Sequence, residues 1–287
     1  MTTQNPLQGF FREPKLWTNI PSQGRYYNDD VLVMPENGEL AVFAMTAKDE
    51  LLLRNPDALL NGEAVISLIK SCVPDVKDPA KLLQNDVDVL LIAIHGATNE
   101  TIEVSAKCTK CKEPNTGLIR AEDLLTTMQI IENEYKFTIE TGLEVTVRPY
   151  TFASAIESGL VQFRNTQNLT HLGDIEDDIE RIKAFSNSIR DMAALEFNLL
   201  CDSIASIKLP KTDDEEIIVS DRAHIREYLE NCEKEVGKKV LAEVTEINKL
   251  GLDKKSKLQC ENCSTDEEPF FYETLVELNP INFFTAS

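Results

Sequence analysis

The chain has 287 residues, with 29 Lys and Arg against 49 Asp and Glu, a formal net charge of −20 and a pI near 4.6. So acidic a surface repels phosphate backbones and anionic headgroups, which argues against nucleic-acid and membrane partners, while 42% hydrophobic residues are enough to build a core in one or two domains. No run of eighteen apolar residues marks a membrane span, and the first residues lack a basic-then-apolar secretory pattern, so the expectation is folding in a reducing cytoplasm, where close cysteines bind metal or do redox chemistry more readily than they form structural disulfides.

Residues 1–30 read as an extended arm. Pro14, Pro21 and Gly24 interrupt any periodicity, and Phe10-Phe11, Trp17 and Tyr26-Tyr27 are candidate anchors, as is Phe283-Phe284 at the other end. Each aromatic pair either docks on a partner or packs internally. Val31-Leu32-Val33 and Ala41–Met45 flank Pro35-Glu36-Asn37-Gly38, a strong short-range hairpin signal. Asn55-Pro56 predicts a helix start with proline at its first position. Ala64, Ile66, Leu68, Ile69 and Cys72 fit one helix face. Asp78-Pro79 opens a short helical turn, and Asp86–Ile94 reads as a buried helix, with a buried strand as the alternative that pattern leaves open.

Thr101–Ala106 alternates like a strand and runs into Cys108; Gly117-Leu118-Ile119 follows the next cysteine. Residues 135–149 predict a hairpin turning at Thr141-Gly142. From Thr151 to about Ile207 the period becomes helical. After a start at Gly173-Asp174, the residues Ile175, Ile179, Ile182, Phe185, Ile189, Met192, Leu195 and Leu199 step by three and four. That stripe is expected to be core, with a coiled coil to a partner as the lesser alternative. A short strand pair is expected around 207–209 and 217–219, split by the solvated acidic turn Asp213–Glu216. One further helix carries Ile225, Tyr228, Leu229, Cys232 and Val236, and another carries Val240, Leu241, Val244 and Ile247 and stops at Gly251.

One constellation carries chemistry. Cys108-Thr-Lys-Cys111 and Cys260-Glu-Asn-Cys263 each follow one short strand and precede another. This is the layout of two zinc knuckles, whose turns point both thiolates inward and together complete a tetrahedral sulfur site. The pairs lie far apart, Cys111 and Cys260 being 149 positions from each other. A ribbon with a large helical insertion accounts for that gap. The predicted metal ligands are therefore Cys108, Cys111, Cys260 and Cys263, holding a structural zinc; iron in the same thiolates is the alternative metal. Lys107, Lys110 and Lys112 add positive charge at the first knuckle.

Cys72, Cys201 and Cys232 fall on apolar helix faces and read as buried structural thiols. His95, His171 and His224 sit in no motif with a nucleophile or carboxylate, and His95 suits a helix C-terminus. Phosphate loops, nucleophile elbows, His-Glu-x-x-His helices and dinucleotide fingerprints are all missing, so no catalytic residue is assigned and the expectation is a protein that is not an enzyme.

The order of several pieces resembles a known family. They are Pro21–Tyr27, the Pro35–Gly38 turn, Met45–Glu50, Leu59–Ile66, Ile69–Val73, Asp86–Leu91, Ala97-Thr98 and Cys108–Cys111. Together they resemble the baseplate hub assembly proteins of T-even-type contractile-tailed phages. The likeness covers roughly residues 17 to 150, with Asn61–Ile66 and Lys70–Val73 its most specific parts. The resemblance implies a subunit or assembly factor of the baseplate hub or wedge. It implies other phage tail and baseplate proteins as partners, and a place in the virion tail after assembly in the host cytoplasm. A zinc-ribbon nucleic-acid or transcription accessory protein and a cell-wall hydrolase of the tail are the alternatives from other classes.

The fold class expected is α+β: small sheets and hairpins, a ribbon-like zinc-knuckle module and a large helical insertion. The expected division is an arm at 1–30, a mixed domain at 31–150, a helical domain at 151–252, and a segment at 253–287 carrying the second knuckle back onto 100–120.

Overall fold

The computed structural model describes residues 7, 10–171, 177–210, 216–265 and 268–276. Phe283-Phe284, the Gly173-Asp174 helix start and Asp213–Glu215 lie outside the described residues. The fold is α+β, built of helices and small antiparallel sheets, as the sequence pattern predicts. Two compact units divide it. One comprises residues 1–79, 86–130 and 251–287, and the other residues 80–85 and 131–250.

In the first unit, β1 (Pro14–Thr18) pairs antiparallel with β2 (Leu40–Phe43), matching Trp17 with Ala41 and Thr18 with Leu40. This corrects the hairpin expected between Val31–Val33 and Ala41–Met45. The turn itself forms: Gly38 has a φ of 75°, and its N–H donates to Pro35 O at 2.9 Å. A turn fixes only where the chain reverses, however, not which strand fills the ladder. Val31–Val33 instead bonds to the segment after the third helix, with Val33 N to Asp75 O at 3.0 Å and Lys77 N to Val31 O at 2.8 Å. The vacated ladder of β2 is taken by the N-terminal arm.

The helices α1 (Ala47–Leu53), α2 (Pro56–Leu60) and α3 (Glu63–Cys72) follow. Thr46 and Asp49 form a reciprocal capping box on α1, which satisfies orphan N–H groups at its start. Asn55 caps α2 with Pro56 in its first turn, as predicted. Asp49 is buried and has a second use. It accepts from Ser71 Oγ at 3.0 Å and lies 3.6 Å from the Arg12 guanidinium. Arg12 also donates to Ser71 O at 2.6 Å and stacks 5.6 Å over Phe43. The arm is thus held by an arginine as well as by backbone bonds.

The helix α4 (Gln84–Thr98) is the buried one foreseen: Val87, Val89, Leu90, Leu91, Ile92 and Ile94 are all in the core. Its Asp86 is fully buried and receives Ser22 N at 2.9 Å and the Tyr27 hydroxyl. That pins the Pro21–Tyr27 turn against α4 and makes Tyr27 an internal contact, whereas Phe10, Phe11 and Trp17 are exposed. His95 is buried and its Nε2 lies 3.0 Å from Thr101 O; burial lowers its pKa. A neutral ring bridging the turn after α4 replaces the solvent-facing cation that a helix C-terminus would favour.

In the second unit, β5 (Tyr135–Thr138), β6 (Glu144–Val147), β7 (Ile204–Lys208) and β8 (Ile218–Val219) form one antiparallel sheet in that order. The 135–149 hairpin is as predicted, with Gly142 at a φ of 82° in its turn. Between β6 and β7 run α6 (Phe152–His171) and α7 (Asp178–Ser203); α5 (Ala121–Leu125) belongs to the first unit. After β8 come α8 (Arg222–Asn231) and α9 (Lys234–Asn248). The core gathers Val145, Val147, Leu200, Ile204, Ile225 and Val244, among others. Asn248 fastens the end of α9, its Oδ1 accepting from Tyr150 N at 2.9 Å. Two expectations are corrected. Val236 belongs to α9, because the chain turns extended at Cys232 and restarts with Glu233 and Glu235 at the new N-terminus, where the helix dipole favours acid. The α7 stripe is core only at Leu195, near its C-terminal end, with Met192 and Leu199 half-buried beside it; Ile179, Ile182, Phe185 and Ile189 are exposed.

Asp86 makes stability pH-dependent. Burial, opposed by the Ser22 and Tyr27 hydrogen bonds, raises its carboxyl from 3.8 to about 6. The folded chain therefore holds this proton more tightly than the unfolded chain. The contribution is full below about pH 4 and is lost as pH rises through about 6. Relative to Asp86→Asn, the wild type should lose on the order of 1–3 kcal/mol between pH 4 and pH 7 in urea melts. Parallel curves for the two proteins across that window would contradict this.

Candidate metal centre

Two hairpins of the first unit build the site. β3 (Thr101–Lys107) pairs with β4 (Pro114–Arg120), and β9 (Lys255–Gln259) pairs with β10 (Phe271–Leu275), both antiparallel. Alternation decides which faces meet. Ile102 and Val104 of β3, Leu258 of β9 and Tyr272 of β10 are buried. Gly117 in β4 allows the close approach: a Cβ there would lie 2.6 Å from Leu258 Cδ2. Tyr272 Oη donates to Ala106 O at 2.9 Å. Lys254 pairs with the buried carboxylate of Asp88 on α4 at 2.5 Å and fixes the base of the second hairpin.

The two cysteine turns repeat one backbone pattern. In the first, Cys108 N donates to Glu113 O at 2.9 Å and Lys112 N to Cys108 O at 3.0 Å. In the second, Cys260 N donates to Phe270 O at 2.9 Å and Ser264 N to Cys260 O at 3.0 Å. Lys112 adopts a left-handed φ of 65°, which turns the chain back into β4. Lys110 N–H points at Cys108 Sγ at 3.3 Å, and Lys110 Nζ sits 5.4 Å over the Phe270 ring of the opposite knuckle.

All four predicted ligands are brought together. The sulfurs of Cys108, Cys111, Cys260 and Cys263 lie within 4.8 Å of one another. Across the hairpins, Cys108 Sγ is 3.9 Å from Cys263 Sγ and Cys111 Sγ is 3.6 Å from Cys260 Sγ. Both separations are far beyond a disulfide bond of about 2.05 Å. They bracket the edge of about 3.8 Å of a tetrahedron whose metal–sulfur bonds are about 2.3 Å. The donor set and its spacing fit a thiophilic ion with four ligands, so these residues could hold a metal.

The protonation of the four thiols points the same way. Burial acts to raise Cys108, but the N–H groups of Cys111 and Lys110 and the Cys260 thiol outweigh it and bring Cys108 down to about 6. Burial and the three neighbouring sulfurs push Cys263 up to about 12. One sulfur of the cluster ionises readily while another resists, because thiolates this close repel. A cation among them removes that repulsion.

The other thiols are elsewhere. Cys72 is buried beside Arg12 and Asp49, and burial above all raises it to about 11. Cys201 is buried as expected, whereas Cys232, at the end of α8, is only half-buried and donates to Leu229 O at 3.5 Å. His224 stands on the surface 3.7 Å from Asp221; the His171 side chain lies outside the described residues. Pattern reading singled out the four cysteines that lie together, but it gave no docking role to Gly117, Leu258 and Tyr272, which bring the hairpins into contact. A glycine inside a strand was the available signal for close approach.

Gly117→Val should cost about 1–3 kcal/mol by driving a side chain into Leu258. The cost should shrink in the Gly117→Val/Leu258→Ala double variant, as a denaturant double-mutant cycle would show. Strict additivity would mean that the hairpins are not in such close contact.

Comparison with known proteins gives a family match. The family model described as T4 bacteriophage base plate protein matches residues 30–278, a span that includes both cysteine pairs. No curated protein and no solved structure matches the chain. Among the described residues, no helix is long and apolar enough to cross a membrane.

Proposed function

The chain belongs to the T4 bacteriophage base plate protein family, and from that premise we propose that it is a non-enzymatic protein of the baseplate hub or wedge, with one structural zinc held by Cys108, Cys111, Cys260 and Cys263. Membership places it in the phage tail, among other tail proteins. The observation that carries the zinc assignment is the four-sulfur cluster at tetrahedral spacing. Four thiolates leave no open coordination position, so such an ion holds the two hairpins together and activates no water. Zinc suits this donor set in a reducing compartment; iron is the competing occupant.

A role in assembly, as a built-in subunit or as a transient factor, agrees with the exposed aromatics Phe10, Phe11 and Trp17. Nucleic-acid binding has less support, because the lysines of the first knuckle belong to a chain of net charge −20.

Elemental analysis of protein purified without added metal should find about one zinc per chain. Cys108→Ser should abolish that zinc and lower the melting temperature, and a strong chelator should do the same to the wild type. A metal-free wild type, or an unchanged melting temperature, would overturn the assignment. Negative-stain micrographs of tails from a phage lacking the gene should show missing or malformed baseplates. Normal baseplates would exclude the assembly role. Recovery of the protein from purified virions would identify a subunit, and its loss a transient factor.

A further inference from the structure

β1 has a neighbouring strand on one side only. It pairs with β2 in a two-stranded sheet. Among the described residues, Leu16, Trp17, Thr18 and Asn19 make no backbone–backbone hydrogen bond outside that pairing. Alternate N–H and C=O groups of an edge strand point away from its ladder and can receive a further strand. A groove of about 650 Å³ touches all four of these residues. Strand side chains alternate between two faces, so a cavity that meets four in succession runs along the strand's edge and not over one face. Its volume falls among clefts that enclose a whole ligand, about 300–1,000 Å³.

The floor of the groove is apolar and close-packed. A Cβ on Gly96 of α4 would lie 2.8 Å from Ala121 Cβ and 3.9 Å from Leu16 Cδ2. Half-buried Leu125 and Met128 continue the opposite wall. The rim is acidic. Glu39, Glu100 and Glu122 line it, all exposed, and among the described residues none of them forms an ion pair. Arg120 lines it too, but its guanidinium donates to both carboxylate oxygens of Asp123, at 2.6 and 3.0 Å. With the flanking Glu13, Lys15 and Asp123 included, five carboxylates stand against two cations. Trp17 is 56% exposed, and among the described residues no Lys or Arg lies over its ring.

One kind of occupant meets all of these demands. A strand edge takes backbone, carboxylates take cations, and an indole face attracts Lys or Arg more strongly than a phenyl ring does. We propose that the groove binds an extended segment of another protein, which adds a strand beside β1 and sets Lys or Arg side chains against Trp17 and the three glutamates. Four residues of strand span about 13 Å, so the segment is about four to six residues long. The chain does not supply such a segment from its own ends, because residues 1–9 and 277–287 contain no Lys or Arg. A second copy, with its charge of −20, is repelled by an acidic rim. The partner is therefore a different and basic protein, and its docking needs neither the metal nor a permanent place in the virion.

Trp17 is the single tryptophan of the chain, so its fluorescence reports on the groove. The probe is a capped peptide of alternating Lys and Val, titrated into full-length, metal-loaded protein. It should shift the emission, with an affinity that falls as salt rises. The same peptide with Glu in place of Lys should give no shift. A version N-methylated at alternate residues, which cannot complete a ladder, should lose most of the affinity. Glu39→Gln/Glu100→Gln should weaken binding about tenfold and leave the melting temperature unchanged. Absence of a shift with the Lys peptide would overturn the proposal. So would equal binding of the N-methylated peptide or of one with Gln in place of Lys. Binding indifferent to Glu39→Gln/Glu100→Gln would reduce it to attraction by the chain's overall charge, and binding seen only after removal of residues 277–287 would make that segment the natural cover; either result refutes it.

Discussion

Two sulfur pairs, 3.6 and 3.9 Å apart, join hairpins whose facing cysteines are 149 and 155 positions apart in the chain. The rest of the first unit is arranged so that this contact can exist. Gly117 lets β4 and β9 approach, Tyr272 ties β10 to β3, and Lys254 anchors the second hairpin to Asp88 of the buried helix. Protein contacts bring the thiols together, but they do not relieve the mutual repulsion of four thiolates. That leaves the cluster as a site whose chemistry is unfinished without a cation. A cation bound there closes a loop of more than a hundred residues, a constraint on the unfolded chain on the order of 5 kcal/mol in chain-entropy models.

The features legible in the sequence were those with a local cause. Each cysteine pair lies within one turn, Asn55-Pro56 caps its own helix, and Gly142 and Gly251 occupy left-handed positions that glycine takes without strain. Pairing across distance was not legible. Nothing in Pro14–Thr18 states that it will displace Val31–Val33 beside β2, and nothing in 135–149 states that β7 will extend its sheet after two long helices. These outcomes are decided by competition among strands of similar propensity. The Arg12–Asp49–Ser71 contact was hidden for the same reason: its members are scattered across three elements.

Periodicity also says which side chains share a face, but not what covers that face. The α7 stripe illustrates the difference. Its C-terminal end packs under the four-stranded sheet, and its N-terminal end is exposed. The sequence signal is the same at both ends. The acid balance gains meaning in this light, because Asp177, Asp178 and Glu180 cap and surround the start of an exposed helix instead of forming a binding pocket. The family match gives such a surface a setting, since a baseplate protein works among neighbours.

The chain leaves the first unit after Ile130 and returns at Gly251, and the backbone of those two points is joined: Gln129 N donates to Gly251 O at 2.6 Å, and Thr127 Oγ1 is within 3.3 Å of both Asp253 N and O. This departure and this return therefore lie side by side, apart from the short excursion at 80–85. The hairpins and their sulfurs sense only that these two strands of chain are adjacent, not how long the excursion between them is. The intervening segment acts as a cartridge. Its contents can be specialised for a partner while the clamp that receives its ends keeps the same geometry.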